Sequence, residues 1–446
     1  MSVTEDLTEV VAETVAAHHA PGTVAGVWVD GEAHVAVVGV TGVEHPAPLV
    51  EATQFQVGSV TKTITAAVAA LLVDEGRVAY DDPVARHLPD LAADLAPDVD
   101  LEAITVEHLL SHQSGFDGDH LFTHPGVVHD LGALAGARHL FAPGEGYSYC
   151  NAGFSIAGEL IAAVAGQPYA EVVAQRIVGP LGLEGACFTA DDAVTRPVAL
   201  PHWVIDGEAY VLRGAGWQPG WELGPLDWAA GGLIASVPHL LRWGRFQLDG
   251  AADDGTVLLD AAARARLHAP VVEADEVSSV ALDWSVRTSD GVTTLDHGGV
   301  TVGYCTDLVV VPERGVVVAC CTHATNGGAV NQAVRRWALE RLAGIVERDP
   351  SPDPEAPVDP DRVAGRYLHP FGVLTVAAGD EAGTVVVTTE ARTDVGWQPP
   401  PDPPTTFRFT GSCDAVTDGG VGVAELLRCG EGWIQVRGRR APRIDD

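Results

Sequence analysis

The chain has 446 residues, 26 basic and 61 acidic side chains for a net charge of −35, and is 46% apolar and 20% charged. Such an acid surplus argues against a nucleic-acid groove, because a phosphate backbone is bound by Lys and Arg in excess, and the apolar content excludes a disordered polyanion. The charge favours solubility and says little about a ligand.

Val3, Leu7, Val10 and Val11 fall on one stripe and predict an amphipathic helix at the start. The same segment has no basic region and no unbroken apolar stretch, so it does not read as a secretory signal. No run reaches the roughly 18–20 apolar residues that span a bilayer, and the expectation is a soluble, cytoplasmic protein with neither membrane nor nucleic acid as partner. Seven cysteines, odd in number and without C-x-x-C spacing, read as reduced thiols, with no disulfide framework and no zinc site.

VAGVWV, Asp30-Gly31 and EAHVAVVGV predict a hairpin with a two-residue turn. FQVG (55–58) reads as a strand running into Ser59, followed by a helix over 60–75 closed by Gly76. Residues 80–200 read as mainly helical, with periodic apolar faces at 104–110, 126–140 and 151–178. Strands return at 281–287, 294–299, 304–312 and 315–323, before a helix at 328–346. This order predicts an α+β fold: an antiparallel sheet completed by both ends of the domain, helices packed on it, and a mostly helical subdomain. The run RDPSPDPEAPVDPD cannot make a regular element and reads as a linker. The expected division is 1–346, a linker at 347–361, and 362–446 as a small all-β barrel built from GRYLHP, GVLTVAAG, TVVVTTE, TFRFTGS, AELLRC and WIQVRGR. Four of the ten tryptophans (Trp203, Trp217, Trp221, Trp228) crowd into 201–228. These rings either cover a helix face or form a lid lining an apolar acyl pocket.

Lys62 is the only lysine; every other basic residue is arginine. Arginine supplies charge and bidentate pairing but keeps its proton, whereas a desolvated lysine can become a neutral base. Ser59-Val60-Thr61-Lys62 puts a hydroxyl and an amine one turn apart at a helix start, where side chains at i and i+3 share a face. The free N–H groups there favour an alkoxide and a neutral amine. The alternative is Ser59 as a plain N-cap with Lys62 in solvent.

Read together, FQVGSVTKTITAAVAALLVDEGRVAYDDPVARHLPD, ITVEHLLSHQSG, PGEGYSYCNAGFSIAGELI, WAAGGLIAS and LDHGGVTVGY resemble the successive landmarks of the penicillin-binding-protein and class C β-lactamase superfamily of serine hydrolases. The resemblance spans most of 1–346 and implies the β-lactamase/transpeptidase-like fold. It implies Ser59 as acylated nucleophile, Lys62 as its base, Tyr149 and Asn151 as the Tyr-x-Asn motif, and His297-Gly298-Gly299 as the Lys/His-x-Gly motif. A tyrosine there can shuttle a proton, and Asn151 can bond both Lys62 and a substrate carbonyl. The oxyanion hole implied is the backbone N–H of Ser59 with that of Val300. Gly298 and Gly299 would let a substrate approach the strand closely. The plainer alternatives are Tyr149 as a packing aromatic beside Tyr147 and Asn151 as a helix N-cap. His108, His112 and Ser114 look like structural landmarks.

Histidine at 297, where β-lactamases and transpeptidases usually carry lysine, removes a permanent cation for a substrate carboxylate. It points toward esterases, D-amino-acid amidases and acyl transferases. No Glu-x-x-Leu-Asn motif appears, which excludes class A enzymes. A catalytic domain joined to a lipocalin-like barrel resembles D-aminopeptidase-type hydrolases and the stand-alone thioesterases that release and cyclise nonribosomal peptides. The second is preferred, with a peptidyl carrier protein as donor, although an acidic enzyme has no obvious attraction to an acidic carrier. Further candidates are Arg437 for a substrate carboxylate, or else a surface charge, and Asp227 or Glu222 for a substrate ammonium. His120, His124 and His129 lack paired metal spacing, so neither metal nor cofactor is expected. A third reading is a non-catalytic protein that holds a ligand in a cleft or in the barrel.

Overall fold

The computed structural model describes residues 2–95, 99–118, 131–134, 137, 139–213, 221, 223–353, 360–391, 403–411, 413–417 and 425–444. The chain forms two compact units, one of Met1–Ala79, Ala157–Pro270 and Val280–Glu347, the other of Tyr80–Ile156, Val271–Ser279 and Arg348–Asp446.

The first unit is built on strands β1 (Gly22–Val29), β2 (Glu32–Gly39), β3 (Ser285–Ser289), β4 (Val292–Thr301), β5 (Tyr304–Val311) and β6 (Val316–Thr322). They run in the order β2-β1-β6-β5-β4-β3, each pair antiparallel, so strands from both ends of the unit meet at the β1–β6 seam, where Ala25 faces Cys320. Asp30 and Gly31 both take positive φ and make the expected tight turn between β1 and β2. The helices around this sheet are α1 (Val3–Ala17), α2 (Val60–Asp74), α3 (Val237–Asp249) and α4 (Gly327–Ala338).

Alternation along β6 explains its unbroken apolar sequence. Val316, Val318 and Cys320 join a core with Leu7, Val11 and Val15 of α1 and Val330 and Val334 of α4. Val317 points the other way, where a Cβ added at Gly244 of α3 would come within 2.3 Å of its Cγ1. A strand covered on both faces needs apolar residues at every position. Helix α1 begins with a capping box, Ser2 accepting from the Glu5 N–H while the Glu5 carboxylate accepts from Ser2.

Two boundaries differ from expectation. The strand anticipated at 281–287 begins at Ser285, because Asp283 sits at φ +65° and breaks the extended run. The helix anticipated to 346 keeps its α form to Ala338, widens over Leu339–Ala343 and stops at Gly344, which takes φ +69°.

In the second unit, Thr105 and His108 form a reciprocal cap on the short helix Val106–Leu110. The helix expected at 126–140 lies largely outside the described residues, of which Leu131–Leu134 form one 3₁₀ turn. The helix Asn151–Ala165 starts in this unit and ends in the other, stopped by Gly166 at φ +71° ahead of Pro168.

The barrel is closed by eight antiparallel strands: β7 (Gly365–His369), β8 (Gly372–Ala378), β9 (Thr384–Ala391), β10 (Thr405–Phe409), β11 (Asp414–Thr417), β12 (Leu426–Gly430), β13 (Trp433–Val436) and β14 (Arg439–Ile444). Six were anticipated. The additional β11 is short, and β14 is rich in arginine with a proline, so neither displays apolar alternation. Tyr367, Leu374, Val376, Val385, Phe407, Phe409, Leu427 and Ile434 fill the interior, so the barrel is a packed core.

Beneath β4 and β5 the first unit holds a buried charge cluster. Arg335 of α4 bonds Asp296 at 2.9 Å and Glu347 at 2.6 Å and lies 3.6 Å from Asp307, while Arg287 lies 3.3 Å from Asp296. Burial pushes the Asp307 carboxyl up to about 6, with Asp296 and Glu347 adding to the rise against the pull of Arg335. A carboxyl raised above its unfolded value contributes stability that is present at low pH and is lost as pH climbs from about 4 through about 6. Asp307→Asn removes the cost of ionising this site. Its thermal midpoint relative to wild type is therefore expected to be more favourable at pH 7.5 than at pH 5, measured by melting both proteins at the two pH values.

Candidate active site

Helix α2 is buried along both faces from Val60 to Leu72, and its polar residues are threonines that return hydroxyls to nearby backbone. Thr61 donates to Gly58 O at 2.7 Å, Thr63 to Val60 O at 2.7 Å and Thr65 to Ala229 O at 2.8 Å, so burial leaves these hydroxyls satisfied. Lys62 is fully buried among them. Its Nζ lies 3.0 Å from Ser59 Oγ and also donates to Ala230 O. Ser59 occupies the N-cap position but makes no side-chain cap bond, which removes the plain-cap alternative. An amine at this distance can take the hydroxyl proton, and burial disfavours a charged ammonium.

The backbone before Ser59 is fixed from two sides. Phe55 and Gln56 pair with Ala235 and Ile234, and Val57 N–H donates to Leu233 O at 3.0 Å. On the other side runs β4, so close that a Cβ at Gly299 would lie 1.9 Å from Val57 O and 3.2 Å from Ser59 N. A Cβ at Gly58, which itself takes φ +55°, would lie 2.9 Å from Val300 N. The two N–H groups anticipated as an oxyanion hole, those of Ser59 and Val300, therefore belong to backbones in direct contact. Gly299 is required by this contact. At Gly298 an added Cβ meets nothing among the described residues nearer than Thr306 O at 3.8 Å, so none of them demands glycine there.

His297 on β4 is nearly buried, its Nε2 3.2 Å from Asp283 Oδ2 and its Nδ1 2.6 Å from Gly298 O. Asp283 is a group the sequence reading missed. Its left-handed backbone places the buried carboxylate against the ring, and nothing in ALDW signals that.

Of the tryptophan-rich stretch, Trp217 and Glu222 lie outside the described residues. Trp221 donates from Nε1 to Tyr304 OH at 2.9 Å, and its carbonyl accepts from Gln56. Trp228 donates to Leu223 O at 2.9 Å and its ring packs 5.5 Å from Phe188. Asp227 precedes the one-turn helix Trp228–Gly231 without capping it through its side chain.

The second unit contains Tyr149 and Asn151. Asn151 is the first residue of its helix. Tyr149 ends an irregular loop, its ring 4.3 Å from that of His112 and its N–H donating to Gly438 O in the barrel at 2.8 Å. His112, at φ +60°, accepts from Cys150 N–H through Nδ1 at 2.9 Å and so acts as a loop anchor. Arg437, a candidate for a substrate carboxylate, pairs with Glu425 at 2.7 Å and is half exposed. Its neighbour Arg439, not anticipated, lies 4.9 Å from the centre of the Tyr149 ring. Among the described residues no group of His, Cys, Asp and Glu could hold a metal ion, and no helix is long and apolar enough to cross a membrane.

A nucleophile and amine of this spacing, seated between a sheet strand and a buried helix, define a serine hydrolase of the penicillin-binding type. The chain belongs to the beta-lactamase family, whose profile matches residues 7–343. It is 32% identical to penicillin-binding protein 4 of Amycolatopsis lactamdurans, over 80% of this chain and 95% of that protein. It is 25% identical to a D-aminopeptidase of Cereibacter sphaeroides, over 81% of this chain and 66% of that protein. Among solved structures, SurE with D-Leu matches over 99% of both chains with a TM-score of 0.73 at 24% identity, a likeness of fold.

Two outcomes test this geometry. Lys62→Arg keeps a long basic side chain but loses the proton acceptor, and the rate of Ser59 modification by a fluorophosphonate is expected to fall about 10²–10⁴-fold. Gly299→Ala pushes β4 off Val57, and turnover of an activated ester is expected to fall about 10²–10³-fold, the usual loss for an oxyanion donor.

Proposed function

We propose that the protein is a serine acyl transferase for peptide-like substrates that releases and cyclises a peptidyl chain. Lys62 Nζ at 3.0 Å from Ser59 Oγ is the observation that carries the chemistry. Ser59 Oγ attacks the acyl carbonyl as Lys62 takes its proton. The carbonyl oxygen gathers charge against the Ser59 and Val300 N–H groups, and the bond to the leaving thiol breaks with a proton delivered to sulfur. The ester then passes its acyl group to the peptide's own amine, and Ser59 recovers its proton. Tyr149 takes the relay role that the family motif implies, with Asn151 orienting Lys62 and the substrate carbonyl.

Peptide-like, D-configured acyl groups are supported by the D-aminopeptidase among the relatives and by the neighbour solved with D-Leu, whose likeness includes the barrel. The substrate arrives from a peptidyl carrier protein or as a free thioester. The described interior side chains of the barrel pack on one another as a core, which weighs against the ligand-carrier reading. The competing reading is a D-aminopeptidase or esterase, in which water accepts the acyl group.

Incubation with a peptidyl N-acetylcysteamine thioester ending in a D-residue, followed by mass spectrometry, separates these. A product one water lighter than the linear acid, lost in Ser59→Ala, is expected. Linear acid alone leaves the hydrolase and removes the cyclase.

A further inference from the structure

Strands β13 and β14 are joined by Arg437 and Gly438, at φ +51° and +74°, with Val436 paired to Arg439 across the turn. Two left-handed residues in succession make the tightest hairpin turn and leave the Gly438 carbonyl outside the ladder. That carbonyl accepts from Tyr149 N–H at 2.8 Å, and Arg440 N–H donates to Ser148 Oγ at 3.1 Å. The loop thus adds itself to the start of β14 much as an extra strand would.

Side chains reinforce the seam. The Arg439 guanidinium lies 4.9 Å from the Tyr149 ring centre, and Arg440 lies 4.6 Å from Phe141 and 4.1 Å from Trp433. A Cβ at Gly146 would come within 2.4 Å of Arg440 Nη2, so the loop closes directly over that guanidinium. From its own side the loop is held by His112, whose ring packs on Tyr149, and by Gly118, where a Cβ would meet Tyr149 O at 2.4 Å. Both the loop and the barrel belong to the second unit.

We infer that the Arg437–Arg440 turn is a positioning element for Tyr149, with Gly438 O fixing its backbone and Arg439 its ring. A cation held over an aromatic face favours negative charge on that ring, so Arg439 helps Tyr149 give up its proton. Among the contacts described, the Arg439 guanidinium and the His112 ring face the Tyr149 ring. This inference rests on Tyr149 acting as the proton relay for a Ser59 ester.

The test uses the full chain and p-nitrophenyl acetate, a probe independent of the natural acyl group, with kcat followed against pH. Arg439→Gln is expected to lower kcat by about 2–30-fold, the range of a partly desolvated cation–π contact, and to move the limb set by the relay group to higher pH. Arg439→Lys should restore most of both, and Arg408→Gln, which removes an exposed barrel arginine paired with Glu381, should change neither. Gly438→Ala sets a Cβ 3.4 Å from the Tyr147 hydroxyl and 3.7 Å from Tyr149 Cβ at a left-handed position, and it should lower kcat likewise. If Arg439→Gln lowers the thermal midpoint, Gly438→Ala is read in its place by the same profile. Wild-type rate and pH profile in folded Arg439→Gln or, where that variant is destabilised, in folded Gly438→Ala would overturn the inference. Failure of wild-type Ser59 to react with a fluorophosphonate instead overturns the acyl-enzyme reading beneath it.

Discussion

A single amine without access to water organises the first unit. Lys62 sits inside a helix whose neighbours are alanine, valine, leucine and threonine, and its Nζ reaches Ser59 Oγ and Ala230 O. Burying an ammonium costs several kcal/mol unless bonds compensate, so a lysine at this position must be held by partners such as these. The helix must be buried for this to work. The threonine hydroxyls and the Ala229–Leu233 backbone along α2 are the means by which a helix with polar side chains is buried without orphaned groups.

The same burial sets the position of the hydroxyl. Ser59 cannot drift, because Val57 is bonded to Leu233 on one side and packed against Gly299 on the other. One backbone contact therefore performs two tasks, holding the nucleophile and bringing the Ser59 and Val300 N–H groups together. A side chain at 299 would part them. His297 shares the strand, and its ring is held between Asp283 and its own chain's Gly298 carbonyl, so the strand reaches the nucleophile as a rigid edge.

How much of this was legible in the sequence depended on whether the signal was local. Ser59 and Lys62 were readable because an i, i+3 spacing at a helix start already fixes their contact, and the uniqueness of Lys62 drew attention to it. The eight-residue β1 and β2 were readable from an Asp-Gly turn between alternating segments. Gly299 was marked as special for substrate approach, whereas the structure ties it to Val57, a contact between segments 240 positions apart that no local pattern encodes. Asp283 is invisible for the same reason. In the barrel, WIQVRGR read as one strand because the arginines around Gly438 gave no turn signal of the usual Asn-Gly or Asp-Gly kind, so the hairpin and Arg439 were missed.

That missed hairpin changes what the barrel is for. Among the described residues, Tyr367, Phe407, Phe409 and aliphatic side chains fill the small barrel and give it a core of its own. Its rim turn is bonded to the Tyr149 loop, whose residues 141–150 form no helix or strand of their own. An irregular loop pays for precision with ordering entropy unless something stiff anchors it. The barrel supplies that anchor through one carbonyl and two guanidinium groups, which is why a domain remote in sequence from residue 149 belongs to the same compact unit as that tyrosine.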